Sequence, residues 1–170
     1  MKKLIIASAL AMTMATGSAM ASQGDVQFFG NVTASTCDVT PEIDGNVTNM
    51  VQLGTVSVNG TGDEVPLVFK ATNSAGGDCQ SLTGKTATVT WSGPLTDQGI
   101  ANQGGIADDA YVILTSTNAT SDQSVTKDNN AVEFDATKVI NDGLAFTAQL
   151  QGGSTAGDFL SAAAYAVTYQ

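Results

Sequence analysis

The sequence predicts an all-β protein, an antiparallel sandwich, and three observations carry that reading. Apolar residues alternate with period two in short runs, turn-forming clusters separate the runs, and two cysteines stand where one bridge can staple a single domain. Val65, Leu67, Phe69 and Ala71 share one face of the first clear run. In the next, Ala87, Val89 and Trp91 alternate with Thr86, Thr88 and Thr90. In a third, Leu144, Phe146, Ala148 and Leu150 alternate with Ala145, Thr147, Gln149 and Gln151. Successive side chains of a strand point to opposite faces, so each run offers one apolar side to a core.

The turn signals are Asp44-Gly45-Asn46, Asn59-Gly60-Thr61-Gly62, Ser92-Gly93-Pro94, Asp128-Asn129-Asn130, Asn141-Asp142-Gly143 and Gly152-Gly153. Seven or so short strands spaced this way give a sandwich of immunoglobulin-like size. Residues 99–109 and 118–130 are polar and read as loops; there is no long linker, charge block or repeat. Residues 159–166 are rich in alanine and have helical propensity. The closing Tyr165-Ala166-Val167-Thr168-Tyr169 and the shared parity of Phe159, Ala163, Tyr165, Val167 and Tyr169 favour a strand instead.

The chain opens with Lys2 and Lys3, an apolar run over residues 4–14, and Ala19-Met20-Ala21, the small-x-small pattern of a cleavage site. Residues 1–21 therefore read as a secretory signal peptide, too short and wrongly flanked for a membrane anchor. The mature chain is expected to start at Ser22, leaving 170 − 21 = 149 residues, one domain's worth. All 16 acidic residues fall in that part, against Lys70, Lys85, Lys127 and Lys138, so its net charge is 4 − 16 = −12, and arginine is absent. A phosphate backbone needs clustered cations, so nucleic acid is not a partner. Cys37 and Cys79 most simply form one disulfide in an exported chain. A metal pair is the rival, but without His or further Cys it lacks ligands.

Catalytic patterns are weak. The commonest general base and metal ligand, His, is missing. Ser124-Val125-Thr126-Lys127 fits S-x-x-K by chance, without the companion motifs that acyl-transfer chemistry needs. The adjacent acids Asp63-Glu64 and Asp108-Asp109 have no calcium-loop spacing. The four Asn-x-Thr sequons, at Asn31, Asn46, Asn59 and Asn118, are by-products of Thr-rich strands in a chain with a bacterial type of signal. Neither an enzyme, nor a cofactor, nor a metal site is expected.

Three features together resemble the major subunits of chaperone–usher fimbriae of Gram-negative bacteria. The first is Val26-Gln27-Phe28-Phe29-Gly30-Asn31-Val32-Thr33-Ala34-Ser35-Thr36-Cys37, similar to that family's N-terminal arm, with an F-x-G step before the first cysteine. The second is Leu53-Gly54 between the two cysteines. The third is the ending: Tyr169 is penultimate, Gly157 is fourteenth from the end, and Phe159, Ala163, Tyr165 and Val167 alternate between them. The resemblance spans the mature chain. The stretch from Thr36 through Asp44-Gly45-Asn46, with Trp91-Ser92-Gly93, looks most like thin-fibril subunits of enterotoxigenic strains.

The resemblance implies an incomplete immunoglobulin-like sandwich that lacks its final strand and is completed by a donor strand. It implies residues 22–33 as the donor arm and residues 34–170 as the pilin domain. In the arm, Val26, Phe28, Gly30 and Val32 share the parity that would enter a neighbour's groove. Gly157, Phe159, Ala163, Tyr165, Val167 and Tyr169 fall on the C-terminal strand that the family's periplasmic chaperone recognises. The implied partners are that chaperone, an outer-membrane usher and other copies of the chain; the implied place is a surface fimbria that supports adhesion. A second reading makes the subunit itself a lectin for host glycoconjugates, with Lys85, Lys127 or Lys138 meeting an acidic sugar. A third makes it a minor or adaptor pilin.

Overall fold

The computed structural model describes residues 37–74 and 77–170, so the arm and signal segments lie outside the described residues. Nine strands form two antiparallel sheets. They are β1 (Val39–Ile43), β2 (Asn46–Val47), β3 (Val65–Ala71), β4 (Thr86–Ser92), β5 (Ile100–Ala101), β6 (Tyr111–Ser116), β7 (Ala131–Asp135), β8 (Leu144–Gln151) and β9 (Ala164–Tyr169). One sheet has the order β2-β1-β3-β8-β6-β5, the other β7-β4-β9. A four-residue helix, α1 (Gly77–Gln80), and a 3-10 turn (Ala136–Ile140) complete the described residues' regular structure.

The alternation read from the sequence sets the two inner faces. β4 buries Ala87, Val89 and Trp91, while the threonines between them face outward. β8 buries Leu144, Phe146, Ala148 and Leu150, and β3 buries Leu67 and Phe69. Phe69, Trp91 and Phe146 meet edge to face across the sheets, at centroid separations of 5.8, 6.0 and 5.5 Å, and Phe134 joins Phe146 at 5.4 Å. The Asp44-Gly45 pair closes the β1–β2 hairpin with both residues at positive φ, 50° and 77°, the conformation a two-residue turn of right-handed strands requires.

The Cys37–Cys79 disulfide joins the start of the described chain to α1, just before β4, with a Cα–Cα distance of 4.8 Å. Its loop spans 42 residues, worth roughly 4 kcal/mol of unfolded-state entropy in the chain-entropy model. The same pole holds the last strand's end: the Tyr169 hydroxyl donates to the Cys37 carbonyl at 2.8 Å.

Two expectations need adjusting. Within residues 99–109, Ile100 and Ala101 form β5 rather than loop, because Ile100 is buried and pairs with Val112. Residues 159–163 are neither helix nor strand; β9 begins only at Ala164. Their hydrogen bonds go to the loop before β6: Gln103 and Gly104 N–H donate to the Leu160 carbonyl, and the Ala162 N–H donates to Gln103 Oε1. A backbone committed to a loop side chain cannot also join the ladder.

Candidate functional site

An open apolar groove of about 1180 Å³ lies between the sheets and reaches the start of β9 at Tyr165. Its floor is Leu67, Phe69, Trp91 and Leu114, all core residues. One wall is the irregular segment 50–58, which contributes Met50, Leu53 and Val56. The other is the connector before β9, with Phe159, Ala163 and Tyr165. Met50 and Val58 are exposed.

β9 pairs only with β4 among the described strands, and its register explains both its faces. Ala87, Val89 and Trp91 lie opposite Tyr169, Val167 and Tyr165, so those three side chains share the inward face. Tyr169 is buried as expected of such a position, but Val167 and Tyr165 are only half-buried. They face the core from the strand beside the groove. The Tyr165 ring lies 4.4 Å from Phe69 and 5.9 Å from Trp91, and partial burial raises its hydroxyl pKa above the usual tyrosine value. Burial, with a smaller contribution from Asp38, pushes the Tyr169 hydroxyl up to about 12.

The backbone of β9 is equally ordered. Thr86 and Gln170 exchange N–H donors and carbonyls with each other, which makes 86/170 a hydrogen-bonded pair. Antiparallel ladders alternate, so residues 164, 166 and 168 turn toward β4 while Tyr165 and its same-parity neighbours turn their main chain toward the groove. The groove side of β9 is therefore the side where a further strand would add.

Two side chains hold the connector: Asn102, which the sequence reading did not single out, and Asp109, which it read only as one of a pair of solvated loop acids. Asn102 Nδ2 donates to the carbonyls of Gly105 and Ala107, while its Oδ1 accepts from Leu160 N–H at 3.0 Å. The Asp109 carboxylate accepts from Ser154 N–H, Ser154 Oγ and Thr155 N–H, and these bonds pull its pKa down to about 2, the serine hydroxyl contributing most. Asn and Asp in polar loops were the sequence signal available, and it marks many loops equally. The groove wall at 50–58 was also missed, since it has no period of either kind.

The positions expected for the C-terminal strand fall into two groups. Ala163, Tyr165, Val167 and Tyr169 lie on one line beside β4 or just before it, whereas Phe159 and Gly157 sit in the connector. Gly157 has a local reason to be glycine: a Cβ there would lie 2.6 Å from Ile106 Cβ and 3.0 Å from Ala107 N. The donor positions Val26, Phe28, Gly30 and Val32 lie outside the described residues.

The remaining candidates are engaged locally. Ser124 Oγ bonds Thr115 Oγ1 at 2.9 Å, while Lys127 Nζ pairs with Asp97 and Asp128, both at 2.9 Å. Those carboxylates raise the lysine's pKa, so it holds its proton rather than acting as a base. Lys138 Nζ donates to the Asn118 carbonyl. Lys127 and Lys138, both considered for an acidic sugar, thus have internal partners.

No family model matches the chain. Among curated proteins it is 56% identical to the F107 fimbrial protein of Escherichia coli, with all of both chains covered. It is 32% identical to the K99 fimbrial protein of Escherichia coli, over 99% of each, and 27% identical to the major MR/P fimbria protein of Proteus mirabilis. Among solved structures, the P pilus rod subunit PapA shares the fold, with a TM-score of 0.52 at 18% identity, covering 86% of this chain and all of that one. The all-β two-sheet architecture and full-length identity to two fimbrial proteins agree, and the chain belongs to the major subunits of chaperone–usher fimbriae, non-enzymatic pilins exported through the periplasm into surface fibres.

Proposed function

We propose that the groove beside β9 receives the N-terminal arm of a neighbouring copy, so that the subunit polymerises by donor-strand exchange into a fibre that supports adhesion to host cells. The observation that carries this is the half-exposed inward face of β9. Tyr165 and Val167 turn inward from the edge of the described sheet, and Tyr165 lines a groove floored by Leu67, Phe69 and Trp91. Adding a strand there would complete the sandwich: main-chain hydrogen bonds set the register, and alternate side chains fill the groove.

Residues 22–33 are the segment of suitable chemistry. Val26, Phe28 and Val32 share one parity, and burying them at about 1.5–3 kcal/mol each gives roughly 5–9 kcal/mol before ordering costs. Gly30, on the same parity, marks a point where donor and groove approach closely. Before assembly, a periplasmic chaperone occupies the same edge and hands the subunit to an outer-membrane usher. Residues 1–21 are removed on export, and residues 34–170 form the domain.

Deletion of residues 22–30 tests the reading. The expected product is a folded, chaperone-bound monomer with no fibre. Normal fibre yield from that deletion would defeat donor-strand exchange.

A further inference from the structure

Chain direction, combined with one exposed apolar pair, points to a second contact between copies; it rests on the donor-strand reading above. Cys37, near the start of the domain, lies at the pole where β9 ends, because its carbonyl holds the Tyr169 hydroxyl. β9 runs toward that pole, from Ala164 to Tyr169. A donor arm parallel to β9 would bring its own domain to the acceptor's Cys37 pole. Every copy would then give and receive at one pole, a same-to-same arrangement that closes on a pair. A fibre needs head-to-tail contacts that do not close, so the arm runs antiparallel to β9, which is also the slightly more stable pairing. The donor's domain then leaves the groove at the opposite pole. Residues 32 to 37 are 37 − 32 = 5 steps apart, a reach of at most about 18 Å, so that domain must sit close to the pole it leaves.

That pole carries two of the most exposed large apolar side chains among the described residues, Ile106 at 70% and Leu160 at 65%. Neither is on a loose loop. Asn102 ties the Ile106 loop to the Leu160 backbone, the Ala107 N–H donates to the Asp158 carbonyl, and Gly157 lets Ile106 approach. Leu160 also lines the groove, so the pair continues its apolar surface outward. We infer that Ile106 and Leu160 seat the next copy in the fibre. The occupant is residues 33–36 of that copy, where Ala34 continues the arm's apolar parity, followed by its Cys37 pole.

The test uses Ile106→Asp, which leaves the groove lining untouched, and two readouts. One is displacement of the chaperone by a synthetic peptide of residues 22–32, which ends before the rim. The other is fibre yield. The expected result is peptide uptake within about twofold of the unsubstituted subunit, with fibre yield lower by on the order of tenfold. Unchanged fibre yield with intact peptide uptake would overturn the seat. Failure of the peptide to enter even the unsubstituted subunit would overturn donor-strand pairing and this inference with it. Should the aspartate variant not fold, a benzophenone amino acid in place of Leu160 gives a second route. Cross-links in assembled fibres to residues 31–38 of another copy are expected, whereas cross-links confined to β7 or β2 of another copy would contradict the proposal.

Discussion

The two edges of the three-stranded sheet, β7 and β9, flank the same central strand and are treated in opposite ways. Thr90 of β4 lies between Ala131 of β7 and Ala166 of β9, so the comparison is close to symmetric. On β7 the inward Val132 and Phe134 are wholly buried, and the outward Glu133 and Asp135 are charged and exposed. Its outer carbonyls are also covered: Thr120 N–H donates to Glu133 and Gln123 Nε2 to Ala131. Asp135 ends the strand by capping the 3-10 turn through Thr137, whose hydroxyl and N–H lower the carboxyl's pKa. On β9 the outward residues are Ala164, Ala166 and Thr168, none charged, and the inward Tyr165 and Val167 are half-covered. One edge is closed against further pairing by charge and a loop; among the described residues, the other has neither charged outward side chains nor such a loop. Under the donor-strand proposal, the difference means that the sheet would take its further strand at one edge only, the one beside the groove.

The largest way to disturb this contrast is at the disulfide, which anchors the end of β9 through Cys37. Replacing Cys37 and Cys79 with serine should cost about 4 kcal/mol in the chaperone-free domain. Hydrogen exchange should show β9 losing protection before β7; equal loss in both strands would contradict the anchoring role. The next effect is smaller. Tyr169→Phe leaves the Cys37 carbonyl without its donor and should cost about 1–3 kcal/mol. Its pH signature follows from a folded-state pKa raised to about 12. The neutral phenol is favoured in the folded state, so this contribution is complete below the unfolded value near 10 and is lost as pH rises through about 12. Alkaline unfolding should therefore start at higher pH in Tyr169→Phe relative to its own neutral stability. Identical alkaline limbs would remove the tyrosine from the account.

The smallest effect is the most discriminating. Ala131→Glu and Ala166→Glu place one carboxylate on either side of Thr90, and both should change stability by less than about 0.5 kcal/mol. Only Ala166→Glu should slow strand uptake, by up to about fivefold, because only there does a charge stand beside the incoming strand. Equal assembly rates for the two variants would erase the distinction between the edges.

Much of this was legible in the residues. The runs at 65–71, 86–92 and 144–151 appear as strands because strict alternation over buried aromatic and β-branched residues leaves no competing period. The turns at Asp44-Gly45 and Asn141-Asp142-Gly143 appear because their backbone needs positive φ. The parity of Tyr165, Val167 and Tyr169 was readable; that Tyr169 turns into its own core, and keeps its hydroxyl on Cys37, was not. That bond joins residues 132 positions apart, and no local pattern encodes it. The wall at 50–58 was hidden for a related reason: its side chains are arranged by the groove, not by a repeat of its own. The alanine run at 159–163 was misread because the loop side chain of Gln103 and the main chain around it compete for the hydrogen bonds a strand would use.

The most direct measurement is a high-resolution cryo-electron microscopy structure of the assembled fibre. The account predicts residues 26–32 of one copy lying antiparallel to β9 of the next, with Val26, Phe28 and Val32 over Leu67, Phe69 and Trp91. A fibre in which that arm lies elsewhere, or in which the chain's own arm fills its own groove, would contradict it.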